Sequence, residues 1–140
     1  MRSADDIEAY LLKTGYPYEE KGEGLWLVRA EGTLPVLVAL TDGLVVFSTR
    51  VMPLQRVAPA RRAELYEWLL RRNASEMVHG AYGLTEEHVV LNFTLRLDNL
   101  DYAELAGTLT DFVATLEAHR ATLQGYLEAP APSQPARDEA

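Results

Sequence analysis

The chain has 140 residues, of which 48% are apolar, with 13 Lys and Arg against 21 Asp and Glu for a net charge of −8. That length and apolar content suit one domain with its own core and exclude a wholly disordered chain. The negative balance repels phosphate backbones and anionic membranes, and the lack of cysteine excludes disulfides, thiolate metal sites and cysteine nucleophiles.

The opening MRSADDIEAYLL lacks the apolar run of a signal peptide, and no stretch approaches the ~20 apolar residues of a membrane helix. A cytoplasmic protein is expected. Residues 3–14 read as a helix, with Ser3 as cap, Asp5, Asp6 and Glu8 in the first turn, and Gly15 as the stop. Strands follow at 16–21, 25–30, 34–40 and 44–51, parted by Gly22-Glu23-Gly24, Glu31-Gly32-Thr33 and the hairpin signal Thr41-Asp42-Gly43. The stretches 34–40 and 44–47 are apolar on both faces, which predicts central strands covered on both sides, by helices or by a second subunit.

Pro59 suits the first turn of a second helix over 60–73, with Ala63, Tyr66, Leu69 and Leu70 on one side and Leu65 and Trp68 off-centre. Strands at 77–84 and 88–98 come next. In the latter, Val89, Leu91, Phe93, Leu95 and Leu97 alternate with mostly polar residues. Asp101 and Glu104 then resemble a capping box opening a long helix to about residue 128, with Gly125 as a possible early end. The segment 129–140, APAPSQPARDEA, reads as a disordered tail after a single domain of 1–128. The order α-βββ(β)-α-ββ-α predicts an α+β fold with an antiparallel sheet of five to six strands and three helices.

Chemistry is sparse. His79, His88 and His119 have no metal-ligand spacing, no Ser lies in GxSxG, and the Gly22/Gly24 turn carries acids where a phosphate cradle needs the opposite charge. Asp5-Asp6, Glu19-Glu20 and Glu86-Glu87 sit at a helix start or in strand and turn positions, as solvated faces do. No catalytic, cofactor-binding or metal residue is assigned, and no enzyme activity or cofactor is expected. A small-molecule pocket between sheet and helices is the alternative, with Tyr10, Tyr66, Tyr82, His79 and Asn92 as loose candidates.

Charge is uneven. Residues 50–72 hold six Arg against Glu64 and Glu67, a net of +4 that leaves −12 for the rest. Arg61, Arg62, Arg71 and Arg72 of this island are candidate partner contacts, or else pair with acids of the same chain. They cluster at the two ends of one helix and form no continuous stripe, so direct nucleic-acid binding is a third and weaker reading.

In the last helix Leu105, Leu109, Phe112, Leu116, His119, Leu123 and Tyr126 follow a 4,3,4,3 spacing. Such a helix, roughly 40 Å long at ~1.5 Å per residue, would outrun a domain of this size and leave its distal third seeking another surface. Leu116, Leu123, Tyr126 and Leu127 are therefore candidate contacts, together with Trp26 and Trp68 if these are exposed aromatics; core packing is the alternative for both tryptophans.

The segment LYEWLLRRNASEMVHGAYGLTEEHVVLNFTLRLDNLDYAELAGTLTDFVATLEAH resembles the C-terminal half of the YbjN family, and IEAYLLKTGYPYEEKGEGLWLV is similar to that family's opening helix and hairpin. The likeness spans roughly residues 5–125 and consists of hydrophobic spacing, with no active-site residues to transfer. The family is similar in fold to type III secretion chaperones, which are small, acidic, bacterial, homodimeric proteins that bind other proteins. The resemblance implies a non-enzymatic, chaperone-like or adaptor protein, a homodimer with a partner protein. The acidic surface favours a basic partner, of which nucleic-acid-binding proteins are one class.

Overall fold

The computed structural model describes residues 2–128. Helix α1 (Ala4–Thr14) starts where the Asp6 carboxylate accepts the Ser3 N–H at 2.7 Å, and it ends at Gly15, whose φ of 82° few other residues adopt. Strands β1 (Tyr18–Gly22), β2 (Leu25–Val28), β3 (Val36–Thr41) and β4 (Leu44–Pro53) form an antiparallel meander. Asp42 and Gly43, at φ 50° and 75°, make the tight β3–β4 turn that the Asp-Gly pair encodes. Short 3-10 turns at Leu54–Arg56 and Pro59–Arg61 lead into α2 (Arg62–Ser75). Then come β5 (Ala81–Leu84), β6 (His88–Arg96), a 3-10 turn at Leu97–Asn99, and α3 (Tyr102–Gln124), capped by Asp101 accepting the Glu104 N–H at 2.8 Å.

The six strands make one antiparallel sheet in the order β1-β2-β3-β4-β6-β5. This matches the α+β architecture expected, with every strand shorter than expected except β4, which runs on to Pro53. Pro17 and Pro35 lack the N–H that a ladder needs, so β1 and β3 start after them. Gly80, at φ 117°, keeps β5 from starting before Ala81.

Burial alternates along β2, β3 and most of β4. Trp26, Val38 and Phe47 stand side by side on one face, and the core joins them to Ile7 and Leu11 of α1, Leu65 and Leu69 of α2, and Leu109 and Phe112 of α3. All three helices thus contribute to the core on this one face. β3 and β4 are central as expected, and the helices cover one face; of the two covers expected for the other face, helices are not the one.

Two further expectations change. On α2 the core row is Leu65 and Leu69, while Leu70 is 67% exposed. Of the row read as inward, Leu69 is buried and Tyr66 packs half-buried against the core, whereas Ala63 and Leu70 face out; Leu65, read as off-centre, takes the core position. The distal part of α3 does not outrun its support, because Leu116, His119, Leu123 and Tyr126 are all buried. Leu127 bridges Val57, and the Glu128 N–H donates to the Arg56 carbonyl at 2.7 Å, which holds residues 127–128 against the 3-10 turns. The tail expected at 129–140 lies outside the described residues. Among the described residues no helix is long and apolar enough to cross a membrane.

Candidate functional site: three apolar surfaces and a buried histidine network

The face of the sheet opposite the helices is the first surface. In register, Ala39 sits between Leu25 and Val46, and Leu27 beside Leu37. With Leu44 these side chains are half-buried and lie outside the core cluster. They shield one another across strands, as close pairs on a pleated surface do. Toward β6 the same face turns polar, with Thr94 beside Val46 and Asn92 beside Ser48. An apolar field bounded by a polar margin is the composition of a docking surface.

The second surface is the outer row of α2. Ala63, Tyr66, Leu70 and Ala74 line it, with Glu67 and Arg71 paired at 2.8 Å beside them. Leu84, about half exposed, extends the apolar area onto β5.

The third is a groove of about 460 Å³ beside the distal half of α3, walled by Leu34, Met52, Leu116, Leu123 and Leu127 and flanked by Arg56 and Arg120. Three of the α3 residues expected to meet a partner line it. Leu116 and Leu123 are each 5% exposed and give the groove only their edges, while Leu127 is half-buried.

Tyr126 faces elsewhere. Its hydroxyl donates to Glu64 at 3.3 Å, and the Arg61 guanidinium stacks 4.5 Å above its ring. Burial, then the Glu64 charge and hydrogen bond, hold its phenol above the ordinary tyrosine value. Of the two readings of Trp26 the core one holds: it is 1% exposed, and its indole N–H has no partner among the described residues. Trp68 is half-buried and packs edge-on to His119 at 4.9 Å between ring centres.

Most of the basic island serves the fold. Arg62 donates to the carbonyls of Val57 and Leu54 at 3.2 and 2.8 Å, and Arg61 donates to the Gly125 carbonyl at 2.8 Å. Arg72 lies over the Trp68 ring, with its Nε 3.2 Å from Glu76 but off the hydrogen-bond line, so that contact is an ion pair. Arginines held this way satisfy the carbonyls that end a helix and two turns, and they do not form a phosphate-tracking stripe.

A buried polar chain joins α2, β5 and α3. The Tyr82 hydroxyl and His119 Nδ1 hydrogen-bond at 2.8 Å, and His119 Nε2 and the Glu76 carboxylate at 3.1 Å; since Glu76 only accepts when ionised, Nε2 carries the proton of that second bond. Burial and then the Glu76 charge push the Tyr82 phenol well above its ordinary value. Nearby, His79 Nδ1 meets Asp111 at 2.5 Å and its ring stands edge-on to Phe93. No group of three His, Cys, Asp or Glu among the described residues is placed to hold a metal.

The loose pocket candidates do not converge. Tyr10 packs on Tyr102, Asn92 lies on the open sheet face, and Tyr66 is on the outer row of α2. Sequence reasoning missed Arg56 and Arg120 as groove flanks, the pairing of His119 with Tyr82, and Asn73, whose amide binds the Tyr82 backbone. Only His119, at a core position of the α3 spacing, carried a signal, since a buried imidazole needs partners.

The family CesT_Tir_1 matches residues 1–128. No curated protein matches the chain by sequence. Among solved structures, YbjN from E. coli superposes at a TM-score of 0.62 with 15% identity, over 93% of this chain and all of that one. The type III secretion chaperone SycH of Yersinia pestis, solved with a fragment of YscM2, is similar at 0.58 and 19% identity, over 82% and 97% of the chains. The ExsC–ExsE complex is similar at 0.64 and 14% identity, over 95% and 100%.

Proposed function

The chain belongs to the CesT_Tir_1 family, and on that premise we propose that it is a non-enzymatic, chaperone-like adaptor that binds a partner protein as a homodimer in the bacterial cytoplasm. One observation carries this reading: the helices take one face of the sheet, and Leu25, Leu27, Leu37, Ala39, Leu44 and Val46 form an apolar field on the other, outside the core. A partner segment laid there would bury that field without disturbing the core. The family relationship and the partner-bound SycH and ExsC–ExsE structures support the same reading.

The outer row of α2 is the proposed contact between copies. It suits two-fold pairing, in which one patch meets itself. With the axis near the middle of α2, Tyr66 would face Leu70 of the partner subunit, and Glu67 would face Arg71 of the partner subunit. Arg71 thus keeps an interface role, whereas Arg61, Arg62 and Arg72 act within the chain. Direct nucleic-acid binding has no comparable support, because these guanidinium groups already hold carbonyls and an acid.

Two variants separate the surfaces. Leu37→Glu with Val46→Glu should keep the melting temperature within a few degrees and abolish binding of a partner. Leu70→Glu should reduce the mass by light scattering from two chains to one. Retained partner binding in the first variant would discard the sheet face, and a monomeric unmodified protein would discard the dimer.

A further inference from the structure

The groove beside α3 opposes the rest of the molecule in sign. The chain carries −8 in total, yet Arg56 and Arg120 flank this groove and no Asp or Glu lines it. Each guanidinium is oriented by one backbone carbonyl: Arg56 donates to Glu128 and Arg120 to Gly32, both at 2.6 Å. A guanidinium has five N–H donors, so each retains donors beyond that bond. Among the described residues neither has a carboxylate within ion-pair distance. Between them the walls are apolar, with Leu34 40% exposed, and the space of about 460 Å³ falls in the range of cavities that bury a ligand.

We propose that this groove takes an acid-flanked apolar segment of the partner protein. Its apolar side chains fill the space between Leu34, Met52 and Leu127, and its flanking carboxylates pair with Arg56 and Arg120. The inference rests on the partner-binding reading and adds a charge rule to it. The global charge favours a basic partner, whereas this groove selects an acidic stretch within it. Arg–carboxylate pairs of this kind add orientation as well as attraction.

The test uses the full chain and two fluorescent peptides, each with two leucines, flanked by glutamates in one and by lysines in the other. Anisotropy should show the glutamate peptide binding about tenfold more tightly, a preference that weakens with added salt. Arg120→Glu, or Arg56→Glu if the first variant melts early, should reverse the preference. Equal binding of both peptides overturns the charge rule and leaves the adaptor reading standing. Failure of both peptides to bind removes the groove as a partner site. Tighter glutamate-peptide binding after Asp138→Lys with Glu139→Lys would mean that the chain's own C-terminal segment is the occupant, and would also overturn the proposal.

Discussion

The side chain of Asn73 takes the place of a strand beside Tyr82. Its Nδ2 donates to the Tyr82 carbonyl at 2.9 Å, and its Oδ1 accepts the Tyr82 N–H at 2.7 Å. β5 pairs with β6 alone, so this amide closes the middle of an otherwise open sheet edge. Asn73→Ala would leave two part-buried backbone groups unpaired, at about 1–3 kcal/mol each before water compensates. A lower urea midpoint, together with concentration-dependent scattering from the freed edge, is expected. An unchanged midpoint would show that the pairing contributes nothing.

Gly80 is needed for two reasons at once. Its φ is 117°, and an added Cβ would stand 3.2 Å from Phe112 Cε1 and 3.4 Å from Leu91 Cδ1. Gly32 shares the left-handed backbone, at φ 81°, but faces open space. Gly32→Ala should cost about 1 kcal/mol, and Gly80→Ala about 1–3 kcal/mol more, because strain adds to crowding in the core. Denaturant titration of the two variants compares them. Equal losses would mean that Phe112 yields freely.

His119 and Tyr82 should behave as a coupled pair. His119→Leu leaves the Tyr82 hydroxyl without its partner and Glu76 with Arg72 alone, for a loss of about 2 kcal/mol, while Tyr82→Phe should cost about 1 kcal/mol. The double variant should lose less than the sum, by about 1 kcal/mol in a thermodynamic cycle. Strict additivity would contradict the hydrogen bond.

Tyr82 also predicts an alkaline limit. Its folded pKa lies above the ordinary value of 10.0, raised by burial and then by Glu76. The unfolded phenol ionises first, so the unfolded state binds fewer protons above pH ~10 and stability falls as pH rises. Below that pH both states hold the proton, and this group contributes no slope. Melting curves across the alkaline range should show a steeper loss in the unmodified protein than in Tyr82→Phe. Parallel curves would refute the assignment.

Local signals revealed the turns, the caps and the α3 core. Asp42-Gly43, Gly15 and Asp101 act through bonds to near neighbours, so their meaning is written beside them. The orientation of α2 was only partly legible: the row Ala63/Tyr66/Leu69/Leu70 contains the buried Leu69, but tertiary packing turned the helix so that Leu65 joins it inside and Leu70 faces out. Trp26 could be read as an exposed contact or as core until its register put it beside Val38, in line with Phe47. The arginines could not be sorted by sequence either. Arg61 and Arg56 meet Gly125 and Glu128, which lie more than sixty positions away. The groove joins the β2–β3 loop to the end of α3, and no local pattern encodes that meeting.

Hydroxyl-radical footprinting of the chain, alone and bound to its partner, tests the central claim most directly because it reads side-chain exposure residue by residue. The account predicts that Leu25, Leu27, Leu37, Leu44 and Val46 are oxidised in the free protein and protected in the complex, while buried Phe47 is protected in both. A complex in which the open sheet face reacts as it does in the free chain would contradict the claim.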